Sequence, residues 1–241
     1  MWIDKTNLSK EDFMSGQTLL IHKEKNWTSF DVVKKIKNLL KERFKIKKIK
    51  VGHAGTLDPL ATGLLIVCTG KATKKISEIQ GQKKEYQGEL TLGATTPSFD
   101  LETEIDKTFD YSMITKKEIF NTTKLFFGEI LQKPPIFSAI KVNGERLYKK
   151  ARRGEEIEIN SRKIIVHNFK VTEIKIPKIK FTIECSKGTY IRSIAHDFGV
   201  KLNNGAFLSD LIRTKIGNFD INDAKKIDDF KKELNSTKSL T

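Results

Sequence analysis

Cysteine is nearly absent from this chain of 241 residues, with Cys68 and Cys185 as the only two. Neither belongs to a Cys-x-x-Cys pair or has a histidine at ligand spacing, which excludes a structural zinc site and a disulfide framework; both read as buried packing residues. Long apolar runs are missing too. No stretch approaches the roughly 20 apolar residues of a membrane-spanning helix, and Met1-Trp2-Ile3-Asp4-Lys5 is not a cationic leader before an apolar segment. A cytoplasmic, monomeric protein with no membrane association is the expectation. Acidic residues are outnumbered, 30 against 45 Lys and Arg, giving a net charge of +15. Such a surface favours a polyanionic partner, because each neutralised phosphate releases condensed counterions. The charge is clustered: nine basic residues lie from Lys34 to Lys50 against Glu42 alone, and Lys141 to Arg153 is a second basic stretch.

What is present reads as alternating helices and strands without an internal repeat. Thr28 and Asp31 suit a capping box before a helix whose Val32, Val33, Ile36, Leu39 and Leu40 share one face. Leu64 to Cys68 reads as a buried strand. Tyr86, Gly88, Leu90 and Leu92 alternate as in a half-exposed strand, Thr95 to Glu102 as a polar connection, and Thr115 with Glu118 as the start of another helix. Asn143-Gly144 predicts a hairpin turn with Ser138 to Val142 as one arm, followed by a basic helix from Arg146 to Arg153. Ile179, Phe181, Ile183 and Cys185 share a strand face, and that strand leads through Gly188-Thr189 into a helix with Arg192 in its first turn. Mixed α+β architecture around an antiparallel or mixed sheet follows.

The stretch that most constrains function is Val51-Gly52-His53-Ala54-Gly55-Thr56-Leu57-Asp58-Pro59-Leu60-Ala61-Thr62-Gly63. Its single acid sits before a proline in a glycine-flanked turn. Glycine lets the backbone approach a bound partner, and Pro59 biases Asp58 toward an extended conformation, so the carboxylate can be held at one angle. A lone, fixed carboxylate suits a nucleophile or a general base.

These residues resemble the signature of the TruB family of tRNA pseudouridine synthases, Gly-His-x-Gly-x-Leu-Asp-Pro-x-Ala-x-Gly. Further matches follow in the family's order: Lys23 with Thr28-Ser29-Phe30-Asp31, Lys84-x-Tyr86, Gln132-x-Pro134-Pro135, Ser138-Ala139-x-Lys141, Leu147-Tyr148 with Ala151-Arg152-x-Gly154, and Cys185-Ser186-x-Gly188-Thr189-Tyr190-Ile191-Arg192. The resemblance spans about residues 17–219. It implies the pseudouridine-synthase fold, with flanking helices and a protruding hairpin-helix insertion that grips RNA, and isomerisation of uridine 55 in the T-loop of tRNA.

By the same resemblance, Asp58 is the catalytic carboxylate, Arg192 pairs with it, and Tyr86 stacks on the target base. His53 fills the stack that the flipped base vacates. Lys23, Gly55, Tyr190, Leu211, Arg213, Lys141 and Arg152 contribute to substrate binding, with Leu211 against the uracil. The reaction breaks the N1–C1′ bond and joins C5 to C1′ without net redox change, so no metal or cofactor is expected. Attack at C1′ and deprotonation at C2′ both remain open.

There are departures from the pattern. Lys23-Glu24-Lys25-Asn26-Trp27-Thr28-Ser29 lacks the family's proline and first glycine, although Asn26 can adopt a left-handed conformation. Phe137 stands where tyrosine is usual. Residues 1–219 are expected to form the catalytic domain and 220–241 a short tail with one helix, Ile227, Phe230 and Leu234 being at helical spacing, and no RNA-binding domain of the PUA type. Two other readings share this core: an RNA-folding protein without the chemistry, and a guide-RNA-dependent synthase.

Overall fold

The structure, a computed structural model, describes residues 8–138, 140–142, 144–155 and 157–236, with the side chains of Lys141, Val142 and Arg152 outside the description. Two compact units divide the chain: residues up to Lys84 together with Ile212–Thr241, and Glu85–Leu211. The first begins with α1 (Lys10–Ser15), β1 (Thr18–Lys23), α2 (Ser29–Phe44), β2 (Val51–His53), β3 (Thr62–Thr69) and α3 (Ile76–Gly81). The capping box read from the sequence opens α2: the Asp31 N–H donates to Thr28 Oγ1 and the Thr28 N–H to the Asp31 carboxylate, each at 3.0 Å. Two of the donors that a helix N-terminus leaves unpaired are thereby satisfied. Asn26 takes the expected left-handed conformation, φ 67°.

The apolar run of β3 is explained by burial on both faces. Leu65 and Val67 join Val32, Ile36, Leu39 and Leu40 of α2 in one cluster, while Leu64, Ile66 and Cys68 face a second with Leu20 and Ile79. Each such side chain contributes about 1.5–3 kcal/mol on leaving water. Both β1 and β2 pair antiparallel with β3.

The second unit contains β4 (Lys84–Leu92), the short pair β5 (Ala94–Thr95) and β6 (Lys107–Thr108), α4 (Lys116–Lys124) and β7 (Gly128–Gln132). The hairpin β8 (Lys141–Val142) and β9 (Glu145–Arg146), α5 (Leu147–Arg152), β10 (Arg162–Lys175), β11 (Lys178–Cys185), α6 (Ile191–Lys201) and the first part of β12 (Ala206–Ile216) complete it. Its strands follow the order β12–β4–β11–β10–β7. Ile179, Phe181, Ile183 and Cys185 of β11 are buried as their alternation predicts, and Phe181, Phe169, Phe126 and Phe198 pack ring against ring beside them. The hairpin and its helix occupy the place read from the sequence, with Gly144 at φ 83°; Asn143 lies outside the described residues.

The segment from Thr95 to Glu102 is the polar connection its residues predict, and it folds inward, with Thr96, Ser98 and Asp100 buried. Thr96 Oγ1 and Ser98 Oγ both donate to the Asp100 carbonyl, at 2.7 and 3.2 Å, so the segment's own hydroxyls replace water.

The chain returns through β12, whose Ile212 and Arg213 pair in parallel with Thr62 and Gly63 of β3. After β13 (Phe219–Asp220), α7 (Ile227–Ser236) sets Phe230 and Leu234 into the α2 cluster. Antiparallel pairs, a parallel pair and flanking helices make the class α+β with a mixed sheet.

A half-buried acid on α6 allows a stability test. Burial raises the Asp197 carboxyl to about 6, against the opposing influence of Lys201. A raised acid stabilises the fold below its ordinary value of 3.8 and loses that contribution as pH rises through about 6. Asp197→Asn is therefore expected to match the parent in thermal unfolding near pH 4 and to exceed it at pH 7 by roughly 1–2 kcal/mol, after discounting for solvent. A difference that does not change between the two pH values would contradict this.

Candidate active site

Asp58 sits in the connection between β2 and β3, at the first position of a turn closed by the Ala61 N–H donating to the Asp58 carbonyl at 3.1 Å. Pro59 occupies the second turn position, where its fixed φ is already correct. The residue before Asp58 is clamped: the Leu57 N–H donates to Ser29 Oγ at 2.9 Å, and Ser29 Oγ donates to the Leu57 carbonyl at 3.2 Å. Leu57 itself is buried, so the turn is anchored in the core while Asp58 stays partly exposed.

Two buried cations hold the same loop. Arg213, 1% exposed, donates from Nε to the Leu64 carbonyl at 2.8 Å, from Nη2 to Gly55 at 3.0 Å and from Nη1 to Thr56 at 3.4 Å. Gly55 lies at φ 111°, a conformation that side chains rarely adopt. A Cβ at Gly63 would meet the Arg213 backbone, so glycine there permits the parallel pairing of β3 with β12. Lys23, fully buried, donates to the carbonyls of Trp27 at 2.6 Å, Glu24 at 3.0 Å and Pro59 at 3.3 Å. Burial lowers its ammonium to about 8, while the Asp58 carboxylate acts the other way. Lys23 thus ties the turn around Asn26 to the Asp58 loop, and the Asn26 N–H adds a bond to the Pro59 carbonyl at 2.8 Å. His53 ends β2, half-buried, and burial together with Arg213 pushes its imidazole below its ordinary value toward the neutral form.

In the second unit, Tyr86 of β4 and Leu211 of β12 are each 8% exposed. Arg192 is buried in the first turn of α6, where Nη2 donates to the Phe137 carbonyl at 3.0 Å and Nη1 to the Ser98 carbonyl at 3.1 Å; Nε lies 3.5 Å from the Asp100 carboxylate. Phe137 serves through its backbone, so the missing tyrosine hydroxyl leaves this contact intact. Tyr190 precedes α6 and is gripped by buried Gln132, which accepts from the Tyr190 N–H at 2.8 Å and donates to its carbonyl at 3.0 Å. The Arg162 guanidinium lies 4.6 Å from the Tyr190 ring centroid. In the first unit, Lys84 donates to the carbonyls of Gln80 and Gln82 at the end of α3.

Asp100 and Ser29 are the site residues for which the sequence suggested no role. Asp100 follows a run of small polar residues that reads as loop, and nothing in its spacing marks Arg192 as its partner. The side chains of Lys141 and Arg152 lie outside the described residues. In the second basic stretch, Arg153 makes a bidentate pair with Glu145 at 2.7 and 2.8 Å and a further one with Glu155 at 2.7 Å. The first basic stretch behaves differently, as Lys34 and Lys35 of α2 and Lys47, Lys48 and Lys50 of the loop after it are exposed and make no ion pair among the described residues.

A model for the N-terminal domain of the TruB family of pseudouridylate synthases matches residues 41–191, and the chain belongs to that family. The tRNA pseudouridine synthase B of Flavobacterium johnsoniae is 58% identical over 127 residues, which cover 52% of this chain and 56% of that protein. The tRNA pseudouridine synthase B of Parabacteroides distasonis is 55% identical over 121 residues, 50% of this chain and 52% of that protein. The matches thus span about half the length of these curated relatives. Among solved structures, a chain of a Cbf5–Nop10–Gar1 complex superposes with a TM-score of 0.71 at 29% identity, covering 93% of this chain and 56% of that one. A chain of an H/ACA ribonucleoprotein bound to a substrate RNA containing 2′-deoxyuridine gives 0.67 at 25% identity, covering 94% and 57%. The fold is the pseudouridine-synthase fold.

Proposed function

We propose that the chain is a tRNA pseudouridine synthase that isomerises uridine 55 in the T-loop, with Asp58 as the catalytic carboxylate. The observation that carries this reading is the Asp58 turn, a partly exposed acid on a backbone held by Arg213, Lys23 and Ser29. Such bracing costs buried charge, which a plain connection between two strands does not need. In this reading Arg192 pairs with the Asp58 carboxylate; a guanidinium carries five N–H donors, so its bonds to Ser98 and Phe137 are compatible with that role. Tyr86 stacks on the extruded uracil, Leu211 and Tyr190 line its pocket, and neutral His53 occupies the vacated stack. Lys23, Gly55 and Arg213 serve by shaping the loop. Lys141 and Arg152, with the lysines of α2, meet phosphates of the T-arm. The reaction needs no metal or cofactor in this scheme, and a monomer in the cytoplasm suffices.

Tritium release from tRNA carrying 5-tritiated uridine tests the assignment directly. A protein that reads a folded loop with an extruded base should modify an isolated T-arm hairpin within about tenfold of whole tRNA, and an unstructured oligonucleotide with the same uridine far more slowly. Equal rates on hairpin and unstructured RNA would show that loop shape is not recognised.

A further inference from the structure

The second unit holds a cavity of about 400 Å³ whose walls include Phe99, Phe109, His196 and Val200. Phe99 and His196 stack within it, ring centroids 3.9 Å apart and planes 16° from parallel. Three features set this place apart from ordinary packing. Phe99 is held at φ 64°, a strained conformation for a bulky side chain. Nδ1 of His196 is buried without a hydrogen-bond partner among the described residues. Apolar Phe109 and Val200 remain 37% and 56% exposed at the same concavity. An aromatic platform held by a strained backbone beside a half-open apolar wall calls for a flat, aromatic ligand.

We propose that this cavity binds a nucleobase, stacked against the Phe99–His196 pair and the apolar wall of Phe109 and Val200. Burial pushes the His196 imidazole below its ordinary value, so a neutral ring is what a base would cover. Exposed Lys107 and Asn203 stand at the mouth, where Lys107 meets the phosphate of a nucleotide. Asp106, also at the mouth, is already engaged through Thr95 Oγ1 at 2.6 Å. A volume of this size accommodates one base and its ribose. The site adjoins Arg192: both it and His196 lie on one face of α6, a turn apart, and the residues flanking Phe99, Ser98 and Asp100, are those that hold Arg192. The inference stands apart from the isomerisation, since it rests on a different set of side chains.

The test is an NMR titration of the His196 imidazole resonances in the whole protein with adenosine, AMP and a short single-stranded RNA. Saturable shifts of His196 are expected in the parent, and Phe99→Ala and His196→Ala, with affinities read by isothermal titration calorimetry, should each weaken binding by about tenfold or more, the size of a lost base-stacking partner. Lys107→Glu should weaken AMP by about threefold or more and leave adenosine unchanged. RNA binding well above AMP would identify the occupant as a base of an RNA chain, and AMP binding equal to RNA as that of a free nucleotide; both outcomes support the site. The proposal is overturned if none of the three moves the His196 resonances, or if both alanine variants bind all three as the parent does. Because the titration of the parent reads His196 directly, a variant that fails to fold does not rescue the proposal.

Discussion

Asp58→Asn is expected to lower tritium release from tRNA by about a thousandfold or more while leaving tRNA affinity within a few-fold of the parent. The substitution preserves shape. The turn is closed through the Asp58 carbonyl, Leu57 remains clamped by Ser29, and the amide is nearly isosteric with the carboxylate. What is removed is the negative charge that a nucleophile or base requires. In the proposed reading binding survives, because many phosphate contacts would supply affinity and one group the chemistry. A side effect has a defined sign: the Asp58 carboxylate now favours the charged form of Lys23, so in the variant the Lys23 ammonium should titrate below about 8. Turnover within a few-fold of the parent would remove Asp58 from the chemistry.

Arg213→Met is expected to be the most destabilising single change in the first unit. It leaves the carbonyls of Gly55, Thr56 and Leu64 without their buried donor. Each stranded acceptor costs about 1–3 kcal/mol, partly offset because a desolvated guanidinium is no longer held in the core. A net loss of about 3 kcal/mol corresponds to a fall in Tm of roughly 6–12 °C for a chain of this length. If Asp58 is the reacting carboxylate as proposed, below its Tm the variant should lose kcat far more than affinity for tRNA, since a loosened Asp58 loop would misplace that carboxylate and spare phosphate contacts. Arg213→Lys should recover only part of the loss, because an ammonium cannot reproduce the fork that reaches three carbonyls. Differential scanning calorimetry and single-turnover kinetics measure both effects, and a Tm within about two degrees of the parent would refute the bracing role.

Several features were legible in the sequence because their physics is local. The capping boxes at Thr28 with Asp31 and at Thr115 with Glu118 each operate within four residues. The β11 alternation follows from the strand repeat of two, and the Asp58 turn from Pro59 and its glycines. Other features depended on partners far along the chain. Lys23 is a solvent-seeking residue type, yet it is fully buried because the carbonyls of Glu24, Trp27 and Pro59 converge on its ammonium. Arg153 belongs to a stretch that reads as free positive charge, and the hairpin fold brings Glu145 onto it.

The sequence by itself determined the α+β class, the main helices and strands, and the family, through motifs whose residue types and spacing are dictated by turn geometry and local hydrogen bonding. The tertiary structure alone decided which charges are buried and what they hold: Arg213 on the Gly55–Thr56 backbone, Lys23 on Pro59, Asp100 beside Arg192, and His196 on Phe99. The physical reason is desolvation. A charge or ring in the interior is tolerated only where donors and acceptors from distant segments converge on it, and that convergence exists only once the chain has folded.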